Sequence, residues 1–86
     1  MAEYSVVVAR PARRELDGLE AGVARRVISR IEALASNPRP PGCAKLQGAT
    51  DLWRIRVGAY RVVYAIDDAT RMVDVNRVRH RSDAYR

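Results

Sequence analysis

The chain has a single cysteine, a single histidine, a single lysine and no phenylalanine among 86 residues. Cys43 alone cannot form an internal disulfide, which fits a reducing compartment. His80 and Cys43 together cannot build a zinc site, so no metal or other cofactor is expected. No apolar run approaches the roughly 18 residues that a membrane-spanning helix needs. Met1-Ala2-Glu3-Tyr4 shows no basic segment leading into an apolar one, so no signal peptide is expected and the cytoplasm is the expected location. There is no Gly-rich phosphate loop, no internal repeat and no low-complexity segment. Ser82, His80 and Asp83 lie too close in the chain for a hydrolase triad. Asp67 and Asp68 read as turn residues and not as a catalytic carboxylate pair.

Charge is what the sequence has in abundance. Sixteen Lys and Arg oppose ten Asp and Glu, a formal charge of +6, and the sequence pI is about 10.4. Only Lys45 among these cations is lysine. Arginine is permanently charged, and its planar fork suits phosphate oxygens. A small domain this basic implies a polyanionic partner. An Arg-favouring codon composition would account for the Arg-to-Lys ratio, but not for where the arginines sit.

The pattern implies one domain spanning residues 1–86. Tyr4 to Ala9 is β-branched and reads as a strand. Pro11 suits the first turn of a helix, and Ala12, Leu16 and Leu19 share a helical face. Gly18 and Gly22 bracket a break. Val23, Val27, Ile31 and Leu34 then form one stripe of a second helix, with Arg25, Arg26 and Arg30 off it. Asn37-Pro38 ends that helix, and 37–50 reads as irregular. Leu52 to Val57, Tyr60 to Ile66 and Arg71 to Val78 are three further strands, followed by a short polar tail. The expected fold is α+β, in the order β-α-α-β-β-β. A helical hairpin packs on one face of a mostly antiparallel four-stranded sheet.

A two-residue turn at Gly58-Ala59 would oppose Val57 to Tyr60, Arg56 to Arg61 and Ile55 to Val62. Opposed residues share a face. Trp53, Ile55, Val62 and Tyr64 are then expected in the core, with Arg54, Arg56 and Arg61 on the other face. Like charges directly opposed are unfavourable unless something lies between them. A solvated basic surface would interleave carboxylates there. A β-bulge near Asn76-Arg77 is expected, because Val73 and Val75 share parity with Arg77, Arg79 and Arg81. With the bulge, Val78 turns inward, Arg77 and Arg79 join the basic face, and Arg81 lies at its end.

These stretches carry a resemblance. Lys45-Leu46-Gln47-Gly48, Leu52-Trp53-Arg54-Ile55-Arg56-Val57-Gly58, Tyr60-Arg61-Val62-Val63-Tyr64, Ile66-Asp67-Asp68, Val78-Arg79-His80-Arg81 and Tyr85-Arg86 closely resemble the RelE/ParE superfamily of type II toxins. The likeness runs nearly end to end. RelE-like members cut mRNA in the ribosomal A site, whereas ParE-like members poison DNA gyrase. The Tyr-Arg hairpin is common to both. Basic residues before the turn (Arg54, Arg56) and a terminal Arg and Tyr (Arg81, Tyr85) mark the nuclease branch.

The resemblance implies attack by the mRNA 2′-OH on the adjacent phosphate, leaving a 2′,3′-cyclic phosphate and a 5′-OH. Arg61 and Arg81 would stabilise the phosphorane, and Tyr85 would stack on a base or orient it. Arg54 and Arg56 would flank the nucleophile, with Lys45, Arg77, Arg79, His80 and Arg86 as further RNA contacts. The family pattern has Lys at one or both of positions 54 and 56. Arginine practically cannot lose a proton, so the general base stays open. Arg79 replaces a Gly often found there. Implied partners are an acidic antitoxin, through which the complex would bind operator DNA, and the ribosome with its mRNA, but no membrane. The alternatives are a ParE-like gyrase inhibitor and an inactive, toxin-like repressor module.

Overall fold

A computed structural model describes residues 3–46, 48 and 51–82. The element order is β1 (Ser5–Val8), α1 (Arg10–Asp17), α2 (Ala21–Ala33), β2 (Ala44–Lys45), β3 (Leu52–Val57), β4 (Tyr60–Asp67) and β5 (Met72–His80). Pro11 sits in the first turn of α1, where its missing N–H costs nothing. Glu20 caps α2 by accepting from the Gly22 N–H at 2.9 Å. The fold is α+β as expected, with a sheet in the order β1-β5-β4-β3-β2.

Three details differ from the sequence expectation. The sheet has five strands, not four. The added strand, Ala44–Lys45, lies in the stretch expected to be irregular and pairs with Arg54 and Trp53. Two residues are too few to show alternation, and this strand exists because the outer edge of β3 offers it hydrogen bonds. Strand β5 runs to His80 and not to Val78, because Arg79 and His80 find partners in Arg61 and Tyr60. Trp53 is half-buried and packs against the core margin. The Arg39 guanidinium covers its ring at 5.0 Å from the centroid, a cation–π arrangement.

The core lies between sheet and helices. It takes Ala12 from α1, Val27 and Ile31 from α2, and alternate residues from the strands: Ile55 and Val57, Val62, Tyr64 and Ile66, Val73, Val75 and Val78. The expected bulge is present. Val63 pairs with Arg77 and Tyr64 with Val75, so Asn76 is passed over. That one extra residue lets Val73, Val75 and Val78 all face inward while Arg77 and Arg79 face outward.

The loop after α2 is held at two points. The Tyr64 hydroxyl, buried, donates to the Pro38 carbonyl at 2.7 Å. Burial pushes this phenol up to about 12. Outside, Arg39 forms two parallel hydrogen bonds with Asp68 at 3.2 and 2.9 Å, and the Tyr4 hydroxyl donates to the same carboxylate. Those donors hold the Asp68 carboxyl down at about 2.

Candidate nucleic-acid interface

The register of the β3-β4-β5 sheet builds a row of cations. Arg56 opposes Arg61, and Arg61 opposes Arg79. Three arginines thus stand side by side on the sheet face turned away from the helices. Arg54, opposite Val63, and Arg77, opposite the same Val63 from the other side, lie on that face too. The chain continues the ladder past His80: the Arg81 N–H donates to the Ala59 carbonyl at 2.7 Å. This fixes Arg81 beside the hairpin tip.

The tip itself depends on Gly58, whose φ of +60° lies in the left-handed region. Arg56, Arg61 and Arg81, with Gly58, Ala59 and Tyr60, line a depression of about 220 Å³. Arg56 and Arg81 are exposed, Arg61 is half-buried, and its Nε is enclosed. No carboxylate among the described residues pairs with Arg54, Arg56 or Arg81. A larger depression, about 670 Å³, lies at the opposite end of the sheet and is lined by Asp51, Asp67, Asp68 and Asp74. Its sign repels phosphate, whereas the smaller one is cationic.

Not every residue expected at the site gathers there. Lys45 opposes Trp53 and so shares the helix-side parity at the far edge of the sheet. His80 opposes Tyr60, their rings meet edge to face with centroids 5.3 Å apart, and His80 Nδ1 lies 2.7 Å from Ser82 Oγ. Tyr85 and Arg86 lie outside the described residues.

Glu15 is the participant that the sequence did not single out. Strand β1 pairs with β5 only as far as Val75, which leaves the next stretch of the β5 edge open. Glu15 of α1 fills the gap: its carboxylate accepts from the Val78 N–H at 2.7 Å and from Arg77 Nη2 at 2.8 Å, and Arg79 Nε stands 3.6 Å away. Burial pushes this carboxyl up, but the hydrogen bonds from Arg77 and Val78, and the charges of Arg77 and Arg79, outweigh it and hold it below its ordinary value. Its stabilising contribution is therefore complete above about pH 4.5 and is lost as pH falls through the lower folded value. We predict that Glu15→Ala costs about 1–3 kcal/mol at neutral pH, because the Val78 N–H loses its acceptor. Denaturant titrations of both proteins should show that gap narrowing under acid, as the charge-dependent part is lost; a constant gap would contradict this role.

The family profile described as "ParE toxin of type II toxin-antitoxin system, parDE" matches residues 6–85. The chain belongs to the RelE/ParE superfamily of type II toxins. It is 33% identical over 84 residues to Toxin RelE of Mycobacterium tuberculosis, covering 96% of this chain and 87% of that protein. Among solved structures it resembles the archaeal RelE in a RelE–RelB complex from Pyrococcus horikoshii, with a TM-score of 0.82, 27% identity, and coverage of 94% and 97% of the two chains. A toxin–antitoxin complex of Mycobacterium tuberculosis gives 0.81, 29%, and coverage of 91% and 98%. Among the described residues of this toxin, no helix is long and apolar enough to cross a membrane.

Proposed function

We propose that this toxin is a ribosome-dependent endoribonuclease that cuts mRNA in the A site, acting as one domain over residues 1–86 in the cytoplasm. The observation that carries the reading is the meeting of Arg56, Arg61 and Arg81 at one concave site beside the hairpin tip. The mRNA 2′-oxygen forms a bond to the adjacent phosphorus. The bond from phosphorus to the 5′-oxygen breaks; the 2′-OH proton passes to solvent water and the leaving 5′-oxygen takes a proton from water, giving a 2′,3′-cyclic phosphate and a 5′-OH. Negative charge grows on the phosphorane oxygens, where Arg61 and Arg81 act as preorganised donors. Arg54 and Arg56 flank the attacking oxygen, and Tyr85 stacks on a base. None of these arginines accepts the 2′-OH proton, and the His80 ring is turned against Tyr60. This favours catalysis by orientation and charge over catalysis by a protein base.

The same cationic face suits an acidic antitoxin that silences the toxin and carries the complex to operator DNA. The relatives solved with antitoxins, from Pyrococcus horikoshii and Mycobacterium tuberculosis, support such a partner. Its affinity should fall as salt rises, because charge complementarity contributes to it; a titration at two ionic strengths checks this.

Because the matching profile is the ParE one, the test must separate RNA from gyrase. We predict growth arrest on expression without antitoxin, relieved by co-expression of the neighbouring acidic protein. Primer extension on total mRNA should show new ends within codons. Gyrase-dependent DNA breaks with intact mRNA would assign the toxin to the gyrase branch, and normal growth with soluble toxin would leave only a repressor module.

A further inference from the structure

Arg79 stands directly opposite Arg61 across the β4-β5 ladder. Opposed side chains in an antiparallel pair leave the backbone about 5 Å apart, so distance does not keep Arg79 from the phosphate site. Yet the depression at the hairpin tip is lined by Arg56, Arg61 and Arg81 and not by Arg79. What holds Arg79 lies on the other side of β5. Glu15 accepts from the Val78 N–H at 2.7 Å, on the edge of β5 turned away from β4, and its Oε2 stands 3.6 Å from Arg79 Nε. The same carboxylate takes Arg77 through Nε and Nη2.

One carboxylate thus divides the cations of this face. Arg77 and Arg79 are attached to Glu15 at the outer edge, whereas no carboxylate among the described residues pairs with Arg56 or Arg81. The carboxylate is itself well placed. It projects from α1, which Ala12 anchors in the core, and its side chain is only 22% exposed. The division matters for chemistry. A phosphodiester carries a negative charge before, during and after the reaction. A fourth guanidinium that merely reached it would bind substrate, transition state and cyclic product alike. Such uniform binding lowers KM without raising kcat.

We propose that Glu15 is a positioning residue for the phosphate site. It holds the Arg79 guanidinium at the outer edge of β5, so that the scissile phosphate meets Arg56, Arg61 and Arg81 without Arg79. This rests on the nuclease reading above.

The test is Glu15→Gln. Glutamine keeps an oxygen that can accept from the Val78 N–H, but loses the charge that holds Arg79; thermal unfolding verifies the fold. Changing the exposed Asp17 of the same helix to Asn matches the change in net charge. Binding of a labelled single-stranded RNA oligonucleotide is measured against salt. Glu15→Gln should steepen the slope of log K against log salt by about 0.7, one more phosphate neutralised, and tighten binding up to about fivefold. On programmed ribosomes KM should fall by a similar factor while kcat does not rise. Repeated in an Arg79→Gln background, Glu15→Gln should leave the slope unaltered, because the two residues act as a pair. The unaltered toxin supplies a measurement that needs no variant to fold: inorganic phosphate should shift the NMR signals of the Arg61 and Arg81 Nε–H groups and leave that of Arg79 in place.

A steeper slope that depends on Arg79 supports the proposal. An unchanged slope in Glu15→Gln, where the unaltered toxin binds RNA, overturns it and confines Glu15 to a role in folding. A steeper slope that Asp17→Asn reproduces, or that persists without Arg79, also overturns it, since net charge or Arg77 would then account for the effect. An Arg79 signal that moves together with that of Arg61 in the unaltered toxin overturns it whether or not the variant folds. A phosphate response confined to Arg61 and Arg81 in a toxin that leaves ribosome-bound mRNA intact overturns the nuclease reading instead, and leaves the hold of Glu15 on Arg79 standing.

Discussion

Arg61→Ala should lower mRNA cleavage by roughly a hundred- to a thousandfold and abolish toxicity. Arg61 occupies the centre of the row, flanked in register by Arg56 and Arg79. It is half-buried with its Nε enclosed, so its side chain has less freedom to lose when substrate arrives. Preorganised cations near a developing charge need no reorganisation as the transition state forms, which is the basis of the large factor. Arg61→Lys retains the charge but loses the planar fork, so an intermediate rate would indicate bidentate contact with phosphate. Arg81→Ala should give a loss of the same order, because its side chain borders the same depression. Its backbone bond to Ala59 survives the substitution, so the strand end stays in place. Single-turnover cleavage on programmed ribosomes, with circular dichroism to verify the fold, makes the measurement. Full activity in both variants would remove the arginine row from the chemistry. Tyr85→Phe should be milder than Tyr85→Ala if the ring stacks, and equal to it if the hydroxyl transfers a proton.

Tyr64→Ala should cost about 3–5 kcal/mol of stability, the range for losing a buried aromatic ring. Tyr64 is the largest of the fully buried side chains, and a chain of this size has little stability to spare. Tyr64→Phe isolates the second role of the residue. It keeps the ring but strands the Pro38 carbonyl that the hydroxyl satisfies, at about 1–3 kcal/mol. Equilibrium urea unfolding of the three proteins orders them, and the phenylalanine variant should fall between the other two. A phenylalanine variant as stable as the parent would show that the loop after α2 does not depend on this bond.

Strand parity makes the basic face legible in the amino-acid order. Alternation along Leu52–Val57 and Tyr60–Asp67, joined by a turn that needs glycine, fixes which side chains oppose one another. Arg56 beside Arg61 follows from that arithmetic alone. The bulge at Asn76 is legible for a related reason. Three valines at positions 73, 75 and 78 cannot all reach one core without a break in parity, and the arginines between them have no reason to be buried. The end of β5 is hidden because Arg79 and His80 are polar, and only pairing with β4 makes them strand residues.

The sequence by itself determined the charge, the helix stripe, the hairpin register and the family pattern, because each depends on neighbours within a few residues or on one short turn. Tertiary structure alone decided what lies beside what across long separations. Glu15 holds Arg77 and Val78 across more than sixty residues, because β1 stops short and α1 takes over the open edge of β5. Arg39 covers Trp53, which is why that ring stays at the core margin. Arg26 stands near the hairpin tip, bringing together arginines that periodicity assigns to separate elements. Local patterns select elements and faces; the juxtaposition of faces comes from how sheet and helices close over their shared apolar core.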